Sequence, residues 1–521
     1  MSERNGVAEL TNSRKRTGIY FYSAVVGIVS GAIIVAYRMA ITALEDGRAA
    51  LVPFFTSSIF HVVLWICIAA AFGLVTAMMV RRSPLIKGSG IPQVKAFLMR
   101  RIQFDWRREL PFKFFGGSLA LGAGLSLGRE GHSLHLGAMT GAAVTELCGR
   151  HEYQRYLVTA GAAAGISAAF NAPLAGVLFC IEELHRNISP IMLTSSLIAS
   201  FCANAVMWAF FGNTPVFGIT LTSVLPLNLY FTAVLAIGVA SGIAGSLFNR
   251  GVLWFQSLYR RIVPNGTLRI VSAFAVATLV AITFSAITGG GHTLVSTLVT
   301  TKYSLGMIAA LLAGKLFFTL FSYASGAPGG IFLPLLGIGA LLGALLEFLF
   351  LEIGIPGEYL NNYILVGMVG FFTAVVRAPI TGAVLITEMV GSFAHFPAFI
   401  FVSVIASLVS GIFRTKPIYD SLLAQIAPDK HDSSHPAPVM LYIPVFEGSV
   451  LDTCSAILDA LPEGCILTSI ERGDAELFPA EGIDIHPGDV LKIVVERGKA
   501  HRLKEALLVL GQASPDGIER E

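Results

Sequence analysis

Glu130 is the residue whose surroundings first suggest chemistry. It lies in Gly128-Arg129-Glu130-Gly131-His132, between Leu127 and a further apolar run, where a charge costs roughly 2.5–3.5 kcal/mol even on the lenient insertion scale. Two other glycine-rich breaks share that character: Gly88-Ser89-Gly90-Ile91-Pro92 and Gly326-Ala327-Pro328-Gly329-Gly330-Ile331-Phe332-Leu333-Pro334. Each should start a helix inside the protein, because glycine frees the backbone before the first turn and proline fits early in a helix. The unpaired amides and the positive end of the dipole then face the gap and attract anions. A carboxylate at such a start takes the place of a mobile anion. Once protonated it is neutral and can leave, so it serves as both gate and proton carrier. The alternative is a structural carboxylate capping its own helix.

The elements that position these breaks are apolar. The chain has 521 residues, of which 54% are hydrophobic and 13% charged, and its mean hydropathy of +0.72 exceeds what a soluble core needs. Runs such as Ile19 to Tyr37, Ile59 to Met79, Leu229 to Phe248 and Leu268 to Thr288 are long enough to cross a hydrocarbon layer of about 30 Å. The 53 glycines suit close helix packing and breaks in helices. Met1 to Gly18 is polar, with Arg14, Lys15 and Arg16 ahead of a run of spanning length, and it reads as no removable signal peptide. Basic residues at Arg81, Arg82, Lys87, Arg100, Arg101, Arg107 and Arg108 place their segments and the N-terminus in the cytoplasm. The six scattered cysteines indicate neither a disulfide framework nor a zinc site, and a net charge of +3 gives no case for nucleic acid. No metal site and no cofactor are expected.

The membrane part repeats itself. Asn171-Ala172-Pro173-Leu174-Ala175-Gly176 matches Arg377-Ala378-Pro379-Ile380-Thr381-Gly382 at a separation of 206, and the same register pairs Glu182 with Glu388. Gly128-x-x-x-His132-x-x-x-x-Gly137 matches Gly330-x-x-x-Pro334-x-x-x-x-Gly339 at 202, which sets Glu130 opposite Phe332. Duplicated halves, often inverted in the membrane, are a common build for secondary transporters, with the substrate site where broken helices meet. After Tyr419 the apolar runs stop, and Pro428 to Pro438 reads as a solvated linker. Beyond it, Val439 to Val445, Cys465 to Arg472 and Asp489 to Glu496 read as strands, and Val450 to Leu461 and Lys499 to Leu510 as helices. The organisation expected is a cytoplasmic segment 1–17, a transmembrane domain 18–427 with repeats of about 18–210 and 229–427, a linker 428–438, a regulatory domain 439–512 and a tail 513–521.

In order and spacing, G-S-G-I-P, G-R-E-G and G-G-I-F-x-P, joined by Asn171-Ala172-Pro173 and by Lys416-Pro417-Ile418-Tyr419, resemble the CLC family of chloride channels and chloride/proton antiporters. The resemblance covers about Thr17 to Ala427 and implies an all-α polytopic membrane fold of two inverted repeats of broken, tilted helices, here followed by a small α+β cytoplasmic domain. It implies that Ser89 and Tyr419 offer hydroxyls to a chloride, with backbone amides of Ile331 and Phe332 completing the cage. Gly88, Gly90, Pro92, Gly128, Arg129, Gly131, Gly329 and Gly330 support them, and Glu130 is the external gate. It also implies a homodimer with one pathway per subunit, in the plasma (inner) membrane of a prokaryote, with both termini cytoplasmic. Chloride is then a bound substrate and the chain is not an enzyme.

Glu182 and Glu183 need separating. On an α-helix adjacent residues point about 100° apart and cannot line one path. Glu182 has the counterpart Glu388 and a shared structural role; Glu183 has Met389 opposite it and falls where the family's coupled antiporters place an internal proton-transfer glutamate, against the reading of a plain rim carboxylate. Its presence favours exchange over a passive voltage- or pH-gated channel. His132 stands where the family usually has proline; it either tunes the gate's pH dependence or is a neutral imidazole hydrogen-bonding locally. Gln93, often glutamate in relatives, is assigned nothing. Ser89 argues against a nitrate-preferring site, and Tyr419 with Glu183 against the fluoride-exporting branch. The C-terminal domain resembles the TrkA-C domain of ion-transport regulators through its strand-helix-strand order and Ile483 to Leu491. That implies a dimerising or small-molecule-sensing role, with a stability appendage as the alternative. A potassium system lacks a T-V-G-Y-G filter, and an intramembrane enzyme lacks H-E-x-x-H or a serine paired with a base.

Overall fold

The computed structural model describes residues 2–186, 189–219, 230–354 and 359–427, together with 438–447, 449, 451, 461–472, 475–479, 484–496, 503, 506–508 and 510. They fall into two compact units, Met1–Ala427 and Pro428–Glu521.

The first unit is helical. Its helices are α1 (Ser2–Phe55), α2 (Ile59–Arg82), α3 (Ile91–Leu98), α4 (Trp106–Gly122), α5 (Glu130–Leu147), α6 (Gln154–Phe170), α7 (Pro173–Phe179) and α8 (Pro190–Phe211). There follow α9 (Leu235–Ile262), α10 (Gly266–Thr283), α11 (His292–Thr300), α12 (Leu305–Ala324), α13 (Phe332–Glu352), α14 (Leu360–Val376), α15 (Pro379–Val390), α16 (Phe396–Ile412) and α17 (Ile418–Ile426). Among the described residues seven helices are long and apolar enough to cross a membrane. The unit is apolar outside as well as inside: Phe21, Ile59, Phe60, Leu247, Phe317 and Leu408 are exposed while Ser167, Ser200 and Asn204 are buried. That distribution suits lipid and not water. No helix break separates the polar segment before Thr17 from the apolar run that follows, since α1 is continuous from Ser2 to Phe55.

The repeat predicted from two short matches governs the whole unit. Helix α1 packs on α4, α6 and α8, and α9 packs in the same way on α12, α14 and α16; α2 and α10 pack on each other. Eight helices thus recur in the same order, and α17, which carries Tyr419, has no counterpart among the described residues. Within each half a glycine crossing brings two backbones into contact. Gly137 on α5 meets Gly161 on α6, and Gly339 on α13 meets Gly367 on α14, so closely that a Cβ on any of the four would strike the facing carbonyl. Small residues let membrane helices approach in this way.

In the second unit β1 (Val439–Pro444), β2 (Cys465–Arg472), β3 (Ala475–Leu477) and β4 (Val490–Val495) form an antiparallel sheet in the order β1-β4-β2-β3. Leu441, Ile443, Leu467, Ile470, Leu491 and Ile493 make its core. The three strands expected from alternation are present. The helix expected at Val450 to Leu461, most of the one at Lys499 to Leu510, and part of the Ile483 to Leu491 segment lie outside the described residues.

Candidate functional site

All three glycine-rich breaks start helices. Gly90 is the N-cap of α3 in the left-handed region (φ 95°), Arg129 the N-cap of α5 and Ile331 the N-cap of α13. They also converge. Gly128 and Gly330 exchange reciprocal backbone hydrogen bonds of 2.7 and 2.9 Å, and Gly88 accepts from Gly329 (3.1 Å) while donating to Ala327 (3.3 Å). Reciprocal bonding between residues at repeat-equivalent positions is what a two-fold axis between the halves requires. A Cβ placed on Gly131 would lie 2.9 Å from the Ser89 Cβ, and one on Gly330 would lie 3.6 Å from both the Gly131 amide and the Ser89 Cβ. These glycines therefore let the three helix starts approach one another closely.

Glu130 is the first residue of α5 and is 1% exposed. Its Oε1 is 3.9 Å from Arg129 Nε. Its Oε2 has no hydrogen-bond partner among the described residues, and a Cβ on Gly128 would meet both that oxygen (2.5 Å) and the Leu333 amide (3.0 Å). The carboxylate thus sits at the start of α13 as well as of its own helix. Phe332, its repeat partner, is the first residue of α13, and its ring packs against Phe372 (4.6 Å), Phe170 (4.9 Å) and Phe179 (5.8 Å). The first-turn amides of α13 have no intrahelical acceptor, as at any helix start, and Pro334 has none to offer.

Ser89 is buried, and its Oγ accepts from the Ile91 amide at 3.4 Å, which leaves its proton to donate elsewhere. The Tyr419 hydroxyl is fully buried and has no hydrogen-bond partner among the described residues. A buried hydroxyl left unpaired is costly unless something accepts its proton, and both donors have the chemistry for an anion. Helix α17 packs on α3, and the Tyr419 ring meets Phe179 edge-on at 6.3 Å. A cleft of about 340 Å³ opens onto Gly88 and Ser89 and is lined by Lys87, Arg260 and Arg269. It gives an anion an electropositive approach.

The two neighbouring glutamates part as expected, on a π-helical turn, Cys180–His185, and not on an α-helix. Such turns are rare overall and frequent at functional sites. Glu182 accepts from the amides of Ile380 (3.2 Å) and Thr381 (2.8 Å) at the start of α15. Glu388 returns the contact, accepting from the amides of Leu174 (3.1 Å) and Ala175 (2.8 Å) at the start of α7. Each half supplies the acid that caps the other half's helix. Glu183 turns inward instead, is 1% exposed and pairs with Lys95 Nζ at 2.8 Å.

Two lysines were missed in the sequence. Lys113 donates to the carbonyls of Ile86 (2.8 Å) and Gly88 (2.7 Å), and Lys315 to those of Ile287 (3.1 Å) and Gly289 (2.6 Å). Both are fully buried and brace the loops that lead into α3 and α11. The signal was available: they are 202 positions apart, in the register of Gly128 and Gly330. His132 makes no local hydrogen bond, since neither ring nitrogen has a partner among the described residues; its ring stacks on Tyr37 at 6.0 Å. Gln93 donates to the Lys87 carbonyl at 2.7 Å.

Comparison with known proteins places this geometry. The family model described as "Voltage gated chloride channel" matches residues 72–411. The H(+)/Cl(-) exchange transporter ClcA of Vibrio vulnificus (strain YJ016) is 33% identical over 433 residues, covering 80% of this chain and 91% of that protein. The ClcA of Citrobacter koseri is 32% identical over 428 residues, covering 80% and 90%. The crystal structure of a slow cyanobacterial Cl-/H+ antiporter superposes with a TM-score of 0.75 at 27% identity, covering 79% of this chain and 98% of its own. With its repeated halves, converging helix starts and this match, the chain belongs to the voltage gated chloride channel, or CLC, family.

Proposed function

We propose that this chain is a chloride/proton antiporter, embedded in the membrane, that exchanges chloride for protons. The observation that carries the reading is the asymmetry at the helix starts: Glu130 and Phe332 hold equivalent places, and only one is an acid. Chloride binds where Ser89, Tyr419 and the amides of Ile331 and Phe332 replace its hydration without a full positive charge that would trap it. With a proton bound, Glu130 is neutral and swings away from the α13 amides; deprotonated, it competes with chloride for them. Glu183, buried and acidic where its counterpart is Met389, relays protons from the other side. No bond-making step is part of this reading. The names of the ClcA relatives and of the cyanobacterial antiporter support it over a passive channel.

The same reading includes a homodimer with a complete pathway in each subunit, in the plasma (inner) membrane with both termini cytoplasmic, as the basic residues near Arg81 and Arg107 suggest. A small-molecule ligand of the C-terminal domain remains part of the proposal through its TrkA-C resemblance. In proteoliposomes, a chloride gradient is expected to drive uphill proton movement. Chloride flux with no pH change would leave a passive channel as the answer. Glu183→Gln is expected to stop or greatly slow proton transport while chloride flux continues; undiminished proton transport would move the relay to another group.

A further inference from the structure

Lys95 does not serve Glu183 alone. Its Nζ lies 2.8 Å from Glu183 Oε1 and 2.7 Å from Asp420 Oδ1, and the second Asp420 oxygen accepts from Arg186 at 2.6 Å. The side chains of Glu183, Lys95, Asp420 and Arg186 are 1%, 6%, 24% and 51% exposed, so the four charges run from the buried acid to the surface. Their placement in the fold matters more than their strength. Lys95 is on α3, which begins two residues after Ser89, and Asp420 is on α17, next to Tyr419. One ammonium therefore joins the relay acid to both elements that carry the hydroxyls of the anion site.

We infer that Lys95 is a positioning residue that couples the proton state of Glu183 to the geometry of the chloride site. This rests on the assignment of Glu183 as the proton relay. With Glu183 ionised, the ammonium is shared between two carboxylates, and α3, α17 and the π-helical turn are held together. When a proton adds to Glu183, the carboxylate becomes a neutral acid and its attraction to Lys95 is lost. The ammonium then keeps Asp420 alone. The π-helical turn then loses its bond to α3 while Arg186 still ties it to Asp420 on α17, and the spacing between Ser89 and Tyr419 is set by the remaining Lys95–Asp420 pair. A buried pair that loses one charge changes its preferred geometry because the other charge stays desolvated. Proton loading is thereby read by the groups that grip chloride. A fastening role alone needs one carboxylate; the second, on the Tyr419 helix, is what a coupling device requires.

The test is the number of protons moved per chloride, recorded from full-length protein in proteoliposomes. Lys95→Met and, separately, Asp420→Asn are expected to lower that ratio about fivefold or more, with chloride flux still present. Lys95→Arg restores a cation able to serve two carboxylates and is expected to stay nearer the native ratio. If proton and chloride flux fall in proportion, Lys95 is only a fastener and the inference is overturned. It is overturned equally by a native ratio in Lys95→Met. Should Lys95→Met not fold, the charge-balanced pair Lys95→Met with Asp420→Asn carries the same test, and a native ratio there is equally decisive. Glu183→Gln is measured alongside. Proton transport surviving in that variant removes the relay reading and this inference with it, whereas its loss beside a native ratio in Lys95→Met removes this inference alone.

Discussion

Glu130 and Phe332 share one register position, and the side chain there sets what each helix start can do. Removing the acid leaves an anion site with no competitor, so Glu130→Ala is expected to abolish proton coupling while chloride still crosses, as paired chloride and pH recordings would show. Surviving coupling would mean that the gate is another residue. The buried lysines make a different prediction. Lys113→Met removes the lysine donor from the Ile86 and Gly88 carbonyls, of which Gly88 keeps the Gly329 amide, so the cost is about 1–3 kcal/mol for the one unsatisfied group at Ile86, partly offset by relief of a buried charge. A lowered melting temperature in detergent is expected, with exposed Lys302→Met within about 0.5 kcal/mol of the native protein as the control. Glu130, Ser89 and the glycines could be read from the sequence because their types are anomalous in apolar surroundings. Lys113 could not, because a lysine between Phe112 and Phe114 looks like any basic residue near a membrane face until Lys315 is set beside it. Lys95 and Asp420 are 325 positions apart, and no local pattern joins them.

At the level of helices, the glycine crossings set how near two neighbouring helices come within each half. Gly137→Ala and Gly343→Ala each place a methyl against a facing carbonyl and are expected to cost about 1–3 kcal/mol by overpacking. Gly306, near the start of α12 with open space around it, should tolerate alanine, which even stabilises by up to about 1 kcal/mol where the backbone is helical. Equal melting shifts for all three would show that the crossings have slack. Helix starts were legible here because Gly and Pro announce them. The π-helical turn at Cys180–His185 was not: it arises because Glu182 must reach the start of α15 while Glu183 faces Lys95, a demand made by distant segments. Nor was the length of α1 legible, since the polar residues before Thr17 mark a change of solvent and not a helix break.

For the molecule as a whole, the duplication was legible and its closure was not. The second unit has its own acid sensitivity. Asp489 accepts two hydrogen bonds from Arg472, at 2.9 and 2.8 Å, and one from the His486 amide at 2.9 Å, and the Arg472 contact foremost holds its carboxyl below the ordinary aspartate value. The stabilisation is then present above the unfolded value of about 3.9 and is lost as pH falls through the lower folded one. Protection of the β2 and β4 amides, measured as the exchange rate relative to the intrinsic rate at each pH, is expected to fall in acid, with Asp489→Asn showing less of that pH dependence; an identical profile in the variant would place the sensitivity elsewhere. The crossed carboxylates have a consequence in time. The amide of Ala175 waits for Glu388, 213 positions later, which at roughly 5–20 residues per second is a delay of about 10–40 s on the ribosome. Through that interval the nascent first half holds the start of α7 open in the bilayer, so neither half reaches its final form before the other has been made.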